Sequence, residues 1–477
     1  MRGNACNFCD DFLFKAQYNG DSQNHHTNAQ SNAGNTNFHN GFRNVIFTFV
    51  RKGDSVGYVF FGAHSTQKYY LMHKVLVILL VFISYSLKPQ ALKVLSEKDV
   101  VLGAQQFNAY LPLLAKKKVA VVTNITGVIG NTSIVDTLIK LKVNIKKIFG
   151  PEHGFRGNVD AGEKVKSNID KKTGLPVVSL YGSHKKPTAE DLKGIDVVVY
   201  DIQDVGVRFY TFISTLCYVM EACAEQGKEV IVLDRPNPNG FYVDGPVMKD
   251  KYKSFLGLHN VPIVYGMTTG EYARMANEEG WLKTKTKTIK KDSFELKTVR
   301  CKLTVIPVKN YEHGMTYNLP VKPSPNLPNL NAVLMYPGMG LFEGTVMSVG
   351  RGTDMPFEVL GHPQYSKQTF SFTPKATVLS KEPKYKDQIC YGVDLRQENF
   401  IEKHPRKVEL KWLMLFYADL KVPEFMDKNF NWHSGNDELK EQIKAGKSEN
   451  EIRATWQNEI ATFKSIRKKY LLYKDFE

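Results

Sequence analysis

Residues 1–71 contain no glutamate and only two leucines. Their polar tract NGDSQNHHTNAQSNAGNTNFHN has neither the helical nor the strand period of apolar residues, so nothing there builds a core and no fold is assigned. The rest of the chain lacks particular signatures. No G-x-G-x-x-G fingerprint follows the first strand-like run, where NITGVIGNTS carries glycines only at 127 and 130, and no G-x-x-x-x-G-K-[ST] loop occurs anywhere. Both absences disfavour a nucleotide cofactor. Beyond residue 71 no G-x-S-x-G elbow occurs, so a serine esterase is disfavoured too. Cysteine is scarce, with six in 477 residues. Cys6-x-x-Cys9 has zinc-like spacing but no second pair, so no metal site is expected. Cys217 and Cys223, six apart on an expected helix, point to different faces and should not bridge. For Cys301 and Cys390 the sequence leaves pairing open.

Long apolar runs are equally rare. MHKVLVILLVFISYS, Met72–Ser86, has a basic start, an apolar stretch from Val75 to Ile83 and small residues after it. That is the layout of a secretory signal peptide, too short to span a bilayer. No cysteine follows closely enough for lipid attachment. The expectation is that translation begins at Met72, that residues 1–71 are upstream sequence, and that the mature protein is exported to the periplasm or the exterior without stable membrane insertion. The formal net charge of +16 favours anionic partners. The lysines, however, are spread over helices and loops, with no arginine-rich or aromatic-interleaved run, so solvated faces explain most of them and nucleic acid is not expected. An anionic cell-wall polymer would be steered equally well.

At 42% hydrophobic and 12% aromatic content the chain can bury the cores of two to three domains. Apolar runs KVAVVTN (118–124), NIKKIFG (144–150), LPVVSLYG (175–182), DVVVYDIQD (196–204) and KEVIVLD (228–234) alternate with helical patterns near Ser133–Leu141, Thr188–Lys193 and Phe209–Gln226. Strands apolar on both faces and separated by helices predict an α/β fold, a doubly wound parallel sheet covered on both sides. Ligands of such sheets bind beyond the carboxyl ends of the strands. Here those ends carry Thr123-Asn124, Glu152-His153 with Arg156, Tyr181-Gly182, Asp201 with Gln203 and Asp204, and Asp234-Arg235 with Asn237. Singly, each could be a helix cap or turn former. Together they outline a polar cleft.

The second half supplies another cluster. After the proline-rich connection NLPVKPSPNLPNL (318–330), which must be extended, a glycine-rich segment at 336–363 carries Glu343, Arg351, Thr353, Asp354 and Glu358. Its glycines allow close approach of backbone to ligand, or simply form turns. Two remote elements, each with an acid and an arginine, fit a cleft between domains. The tail, residues 436–473, reads as two amphipathic helices split at Gly446, with Leu439, Ile443, Ile452, Trp456, Ile460 and Phe463 as a core-facing stripe.

GPEHGFRG, YDIQDVGVRFYTFISTL, LDRPNPNG, GPV, PSPNLP, LFEGT, SVGRGTDMPFEVLG and IRKKYLLY, in this order from about Val101 to Phe476, resemble the bacterial exo-β-N-acetylmuramidase NamZ family, glycoside hydrolase family 171. One departure is apolar Val346-Met347 after LFEGT, where an asparagine is expected in many members. The resemblance implies an exported enzyme that removes N-acetylmuramic acid from the non-reducing end of peptidoglycan fragments. It implies a Rossmann-like domain, an auxiliary α+β domain and a cleft between them, here 92–245 and 246–477 after a leader at 72–91. No cofactor is implied. The matched motif residues are Glu152, His153 and Arg156; Asp201, Gln203, Asp204, Arg208 and Tyr210; Asp234, Arg235 and Asn237; and Glu343 and Arg351.

Glycoside hydrolysis needs one carboxylic acid for the leaving oxygen and a second group as nucleophile or as base toward water. Glu152 is expected to be the acid, oriented by His153, and Glu343 the second group, with Asp201 or Asp204 as alternatives. The lactyl carboxylate of N-acetylmuramic acid suits a bidentate arginine, from among Arg156, Arg208, Arg235 and Arg351. The rival expectation is a periplasmic protein that binds muropeptides without cleaving them.

Overall fold

Val119–Thr123 (β1), Val197–Asp201 (β5) and Glu229–Leu233 (β6) are buried at every position, as β-branched runs must be when both faces of a sheet are covered. With Ile145–Gly150 (β2), Asn168–Ile169 (β3), Pro176–Ser179 (β4) and Lys302–Ile306 (β7) they form one seven-stranded sheet in the order β7-β6-β5-β1-β2-β4-β3. All neighbours are parallel except β3, which runs antiparallel to β4 at the edge. The computed structural model describes residues 15–16, 45–49, 57–61, 92–152, 154–156, 168–287, 294–378, 380–403 and 406–477. The fold is thus mixed α/β about a mostly parallel sheet.

The two-residue period of the strands sorts their side chains into two cores. Val119, Val121, Val197, Val199 and Ile231 pack with the helices Phe107–Leu114 (α1) and Ile134–Lys140 (α2). Ala120, Val122, Val198, Val230 and Val232 pack with Phe212–Glu225 (α3) and Thr269–Glu278 (α4). The helix starts follow local chemistry. Ser133 accepts from the Val135 amide to cap α2, and Thr268 with Glu271 makes a reciprocal capping box on α4. The helix expected at 188–193 is only a turn: Pro187 precedes it, Asp191 is spent on the Thr188 amide and hydroxyl, and Gly194 ends it at φ +71°.

The sheet continues past residue 245, where the first domain was expected to end, because β7 pairs with β6. Later residues add the helix Leu330–Met339, a three-stranded antiparallel sheet of Val359–His362, Cys390–Asp394 and Ser371–Phe372, and helices Lys411–Asp419 and Phe430–Ser434. The tail stripe is core: Leu439, Ile443, Ile452, Trp456, Ile460 and Phe463 are all buried. Its second helix is divided at Thr455-Trp456 into Glu449–Ala454 and Gln457–Arg467. Cys217, Cys223, Cys301 and Cys390 are buried and unbridged. Among the described residues no helix is long and apolar enough to cross a membrane. By itself, the stretch before residue 91 shows a small antiparallel sheet of Lys15–Ala16, Val45–Phe49 and Gly57–Phe61. The leader-like segment 72–91 lies outside the described residues.

Candidate active site

In the sheet order, β1 lies between β2 and β5, so the chain winds one way from β1 to β2 and β4 and then returns to β5 and β6 on the other side. The polar strand ends divide along the same line. Those of β1, β5 and β6 are bonded within the protein, although Asn124 Nδ2, Gln203 Oε1 and Asp204 Oδ2 are buried without a hydrogen-bond partner among the described residues. Asp201 accepts from Arg235 Nε at 2.6 Å and Nη2 at 3.0 Å, with both side chains 1% exposed or less. Thr123 gives its hydroxyl to the Asp201 carbonyl, and Asn124 turns back on Thr126. Gln203 donates to the carbonyls of Asp204 and Pro236. Asp204 accepts from the Gly206 amide and the Tyr265 hydroxyl, and burial, working against those bonds, pushes its carboxyl up to about 6. Asp234 accepts from Thr268, Tyr473 and the Gly270 amide, and burial likewise lifts it to about 6. Asn237 donates to the Met267 carbonyl and accepts from the Asn239 amide. None of these side chains lines the cavity at the ends of β2 and β4.

The ends of β2 and β4 instead open into a cavity of about 750 Å³, in the size range of small-molecule sites. Glu152, two residues past β2, accepts a hydrogen bond from the Thr211 hydroxyl at 2.8 Å, at the start of α3, and from the phenol of Tyr181 beyond β4. Burial and the Glu152 carboxyl push the Tyr181 phenol up, so it remains a donor. His153 lies outside the described residues. Arg156 turns away from the cavity, bidentate to Asp170 at 2.9 and 2.8 Å and 3.7 Å from Asp136.

Another part of the lining comes from the second half of the chain. Helix Leu330–Met339 runs into a short turn, Gly340–Gly344, that carries Glu343. A side chain at 340 would come within 2.3 Å of the Phe209 ring, so only glycine lets the turn pack there. Glu343 accepts from Arg351 Nη2 at 2.7 Å and Nε at 3.1 Å, and both side chains are about one-quarter exposed. Burial works to raise the Glu343 carboxyl, but the Arg351 guanidinium, with His433 and Lys384 beside it, outweighs burial and holds it below the usual range. Tyr336 lines the same cavity, and its buried phenol is pushed well up by burial and by the charges of both Glu343 and Glu152. Tyr210 also faces the cavity, its hydroxyl on the Pro323 carbonyl and its ring edge-on to Tyr336.

Arg208 supports this part of the lining from behind. Fully buried, it donates to the carbonyls of Pro246, Val261 and His433; burial without a carboxylate partner lowers its guanidinium to about 9. It holds His433, which lines the cavity, and packs so closely on Gly435 that a Cβ there would sit 2.6 Å from Nη2. Gly435 also needs its positive φ of +83° to end the helix Phe430–Ser434. Glu358 is buried against Asn329 and Asn331, and Thr353 closes its own turn on Gly350. At the noted departure, Met347 is buried in the core and Val346 packs against it.

The structure therefore brings together Glu152, Tyr210, Glu343 and Arg351 from the sequence expectation and adds Tyr181, Lys185, Thr211, Phe255, Tyr336, Trp432 and His433. Tyr181 stands at a strand end already named from the sequence, whereas Thr211 was not singled out within YDIQDVGVRFYTFISTL. Nothing in the local sequence marked Lys185, Trp432 or His433. A cavity lined by two acids and by cationic and phenolic side chains suits acid–base chemistry on a polar ligand. No group of three or more acidic, histidine or cysteine side chains among the described residues could hold a metal ion.

Residues 119–331 match the family described as Exo-beta-N-acetylmuramidase NamZ, N-terminal, and residues 334–473 its C-terminal counterpart. The cavity draws Glu152 from the first segment and Glu343 from the second. The chain is 37% identical over 394 residues to the peptidoglycan beta-N-acetylmuramidase NamZ of Bacillus subtilis, an overlap of 76% of this chain and 89% of that protein. Two crystal structures of DUF1343 family proteins from Bacteroides fragilis superpose with TM-scores of 0.71 and 0.66, at 42% and 31% identity, each covering 79% of this chain and 99% of the other. On the matches to both halves, the chain belongs to the exo-β-N-acetylmuramidase NamZ family.

Proposed function

We propose that this protein is an exo-acting glycoside hydrolase that releases N-acetylmuramic acid from the non-reducing end of peptidoglycan fragments. The observation that carries the reading is the placement of Glu152 and Glu343 on one cavity, one from each family-matched segment. Their hydrogen-bond partners support the following roles. Glu152 bonds to hydroxyls, which accept as readily as they donate, so it can sit there with or without its proton. Glu343 faces a guanidinium, which only donates and keeps it anionic. Glu152 is then the acid that protonates the leaving oxygen. Glu343 supplies negative charge to the oxocarbenium-like transition state, as nucleophile or as base toward water. The fold follows as a Rossmann-like domain closed by a C-terminal auxiliary domain, and the leader at 72–91 supports export to the periplasm or the exterior. Cell fractionation in the native host tests the export; recovery only in the cytoplasm refutes it.

Among the described residues, Arg351 is the one of the four candidate arginines that lines the cavity, and Lys185 is a second cation there. These two are assigned to the sugar's carboxylate. A chromogenic N-acetylmuramic acid glycoside should therefore be cleaved far faster than the N-acetylglucosamine glycoside, which offers these cations no carboxylate. Lys185→Met should lower kcat/KM on the first sugar about tenfold or more, whereas Arg156→Lys should leave the ratio unchanged because Arg156 pairs outside the cavity. Equal rates on both sugars in the unaltered enzyme would refute the reading.

The same arrangement sets the acid side of the pH profile. Arg351 lowers Glu343 more than any other neighbour, so Arg351→Met removes the main opponent of burial and the carboxyl titrates higher. The acid limb of kcat/KM should move up by roughly one to three pH units. A limb that stays in place, with activity merely scaled down, would remove Glu343 from the anionic role.

A further inference from the structure

We propose that the part of the substrate beyond the cleaved bond, a glycan chain carrying lactyl carboxylates of its own, is held in a lysine-lined groove that continues from the cavity. This rests on the glycosidase reading above and adds the class of leaving group. The groove, of about 1180 Å³, shares Lys185 with the cavity. Tyr181 and Gly182 face the cavity; the residues that follow them, from Ser183 to Lys186, form the near wall of the groove. Its far wall is the hairpin Lys283–Lys287 and Phe294–Thr298, which contributes Lys283, Lys285 and Lys297.

The groove is positive because its acids are already spent. Glu221 and Glu225 both pair with Lys186, at 3.0 and 2.8 Å. Glu221 also accepts from the Lys283 amide and Glu225 from the Thr284 hydroxyl, which fastens the hairpin to α3. Lys283 gives its ammonium to Thr298. Lys285 and Lys297 are exposed, and no carboxylate among the described residues pairs with them. At the junction, Phe255 on the cavity side stacks on Tyr218 on the groove side, with centroids 5.9 Å apart and planes 20° from parallel. Lys185 lies 4.8 Å over the Phe255 ring. An apolar platform between two polar compartments suits the C–H face of a pyranose, and lysines beyond it suit carboxylates that recur along the chain. A solvated groove with flexible lysines adds affinity for charge without demanding one geometry.

The test compares peptide-free wall oligosaccharides at low salt. The unaltered enzyme should show a kcat/KM three- to tenfold higher on a tetrasaccharide, which has a second lactyl carboxylate, than on the disaccharide, the size of effect expected of one or two solvated ion pairs. Amidating the internal carboxyl, or about 0.5 M salt, should abolish that preference. Lys285→Glu/Lys297→Glu should abolish or reverse it while the chromogenic monosaccharide glycoside, which reaches only the cavity, is cleaved at the unaltered rate. That glycoside also reports whether the variant is folded. The proposal is overturned if the unaltered enzyme shows no chain-length preference, if the amidated tetrasaccharide serves as well, or if the double variant keeps the preference. A tetrasaccharide preferred only when it carries peptides overturns it too, in favour of peptide carboxylates. Failure to cleave the monosaccharide glycoside at all would instead strike the glycosidase reading.

Discussion

Glu152→Gln should reduce turnover of the natural disaccharide by roughly 10²–10⁴-fold, the range general acid catalysis contributes, while substrate binding survives. The amide keeps the shape of the carboxyl and can still accept from Thr211 and Tyr181, so the local structure persists. What it lacks is a proton to give the leaving oxygen. A chemical control follows from that logic: a glycoside with an activated leaving group needs little protonation and should recover much of the lost rate, whereas the natural disaccharide should not. The corresponding loss in Glu343→Gln should be insensitive to leaving-group activation, because Glu343 is assigned to the anomeric side. A Glu152→Gln enzyme within threefold of the unaltered one on the disaccharide would remove Glu152 from the acid role and pass the assignment to Glu343.

The second large effect is on stability. Asp201→Asn should destabilise the protein by about 3–5 kcal/mol, since it leaves the Arg235 guanidinium buried without its counter-charge. The pair ties the ends of β5 and β6 to the loop after β1, where Arg235 also donates to the Val128 carbonyl. Arg156→Ala is the contrast: its pair with Asp170 is partly solvated, with the arginine side chain one-third exposed, and should cost about 1 kcal/mol or less. Urea unfolding of the three proteins checks both. An Asp201→Asn cost no greater than that of Arg156→Ala would refute the structural assignment and return Asp201 to the candidates for ligand contact.

Much of the architecture was written in local pattern. The runs at 118–124, 144–150, 175–182, 196–204 and 228–234 became β1, β2, β4, β5 and β6, because a strand apolar on both faces has no other stable home than the inside of a covered sheet. The tail stripe from Leu439 to Phe463 went to the core for the same reason at helical period. The strand KLTVI at 302–306 was missed, since its first residues are polar enough to pass for a loop and only pairing with β6 makes it the edge of the sheet.

For the site, the sequence by itself determined which residues carry chemistry. It put an acid, a tyrosine or an arginine at the carboxyl end of nearly every strand and named Glu152 and Glu343 as a pair 191 positions apart. Only the tertiary structure decided which of those ends meet solvent and which meet one another. Asp201 and Arg235, 34 apart, neutralise each other inside the protein; Arg208 is consumed by carbonyls 38, 53 and 225 residues away; Glu152 is left on the cavity with Lys185, Trp432 and His433, for which no local signal existed. A charged side chain must find a partner when water is removed, and whether that partner is another part of the chain or a ligand depends on what the fold places within hydrogen-bond reach, which spacing along the chain does not encode.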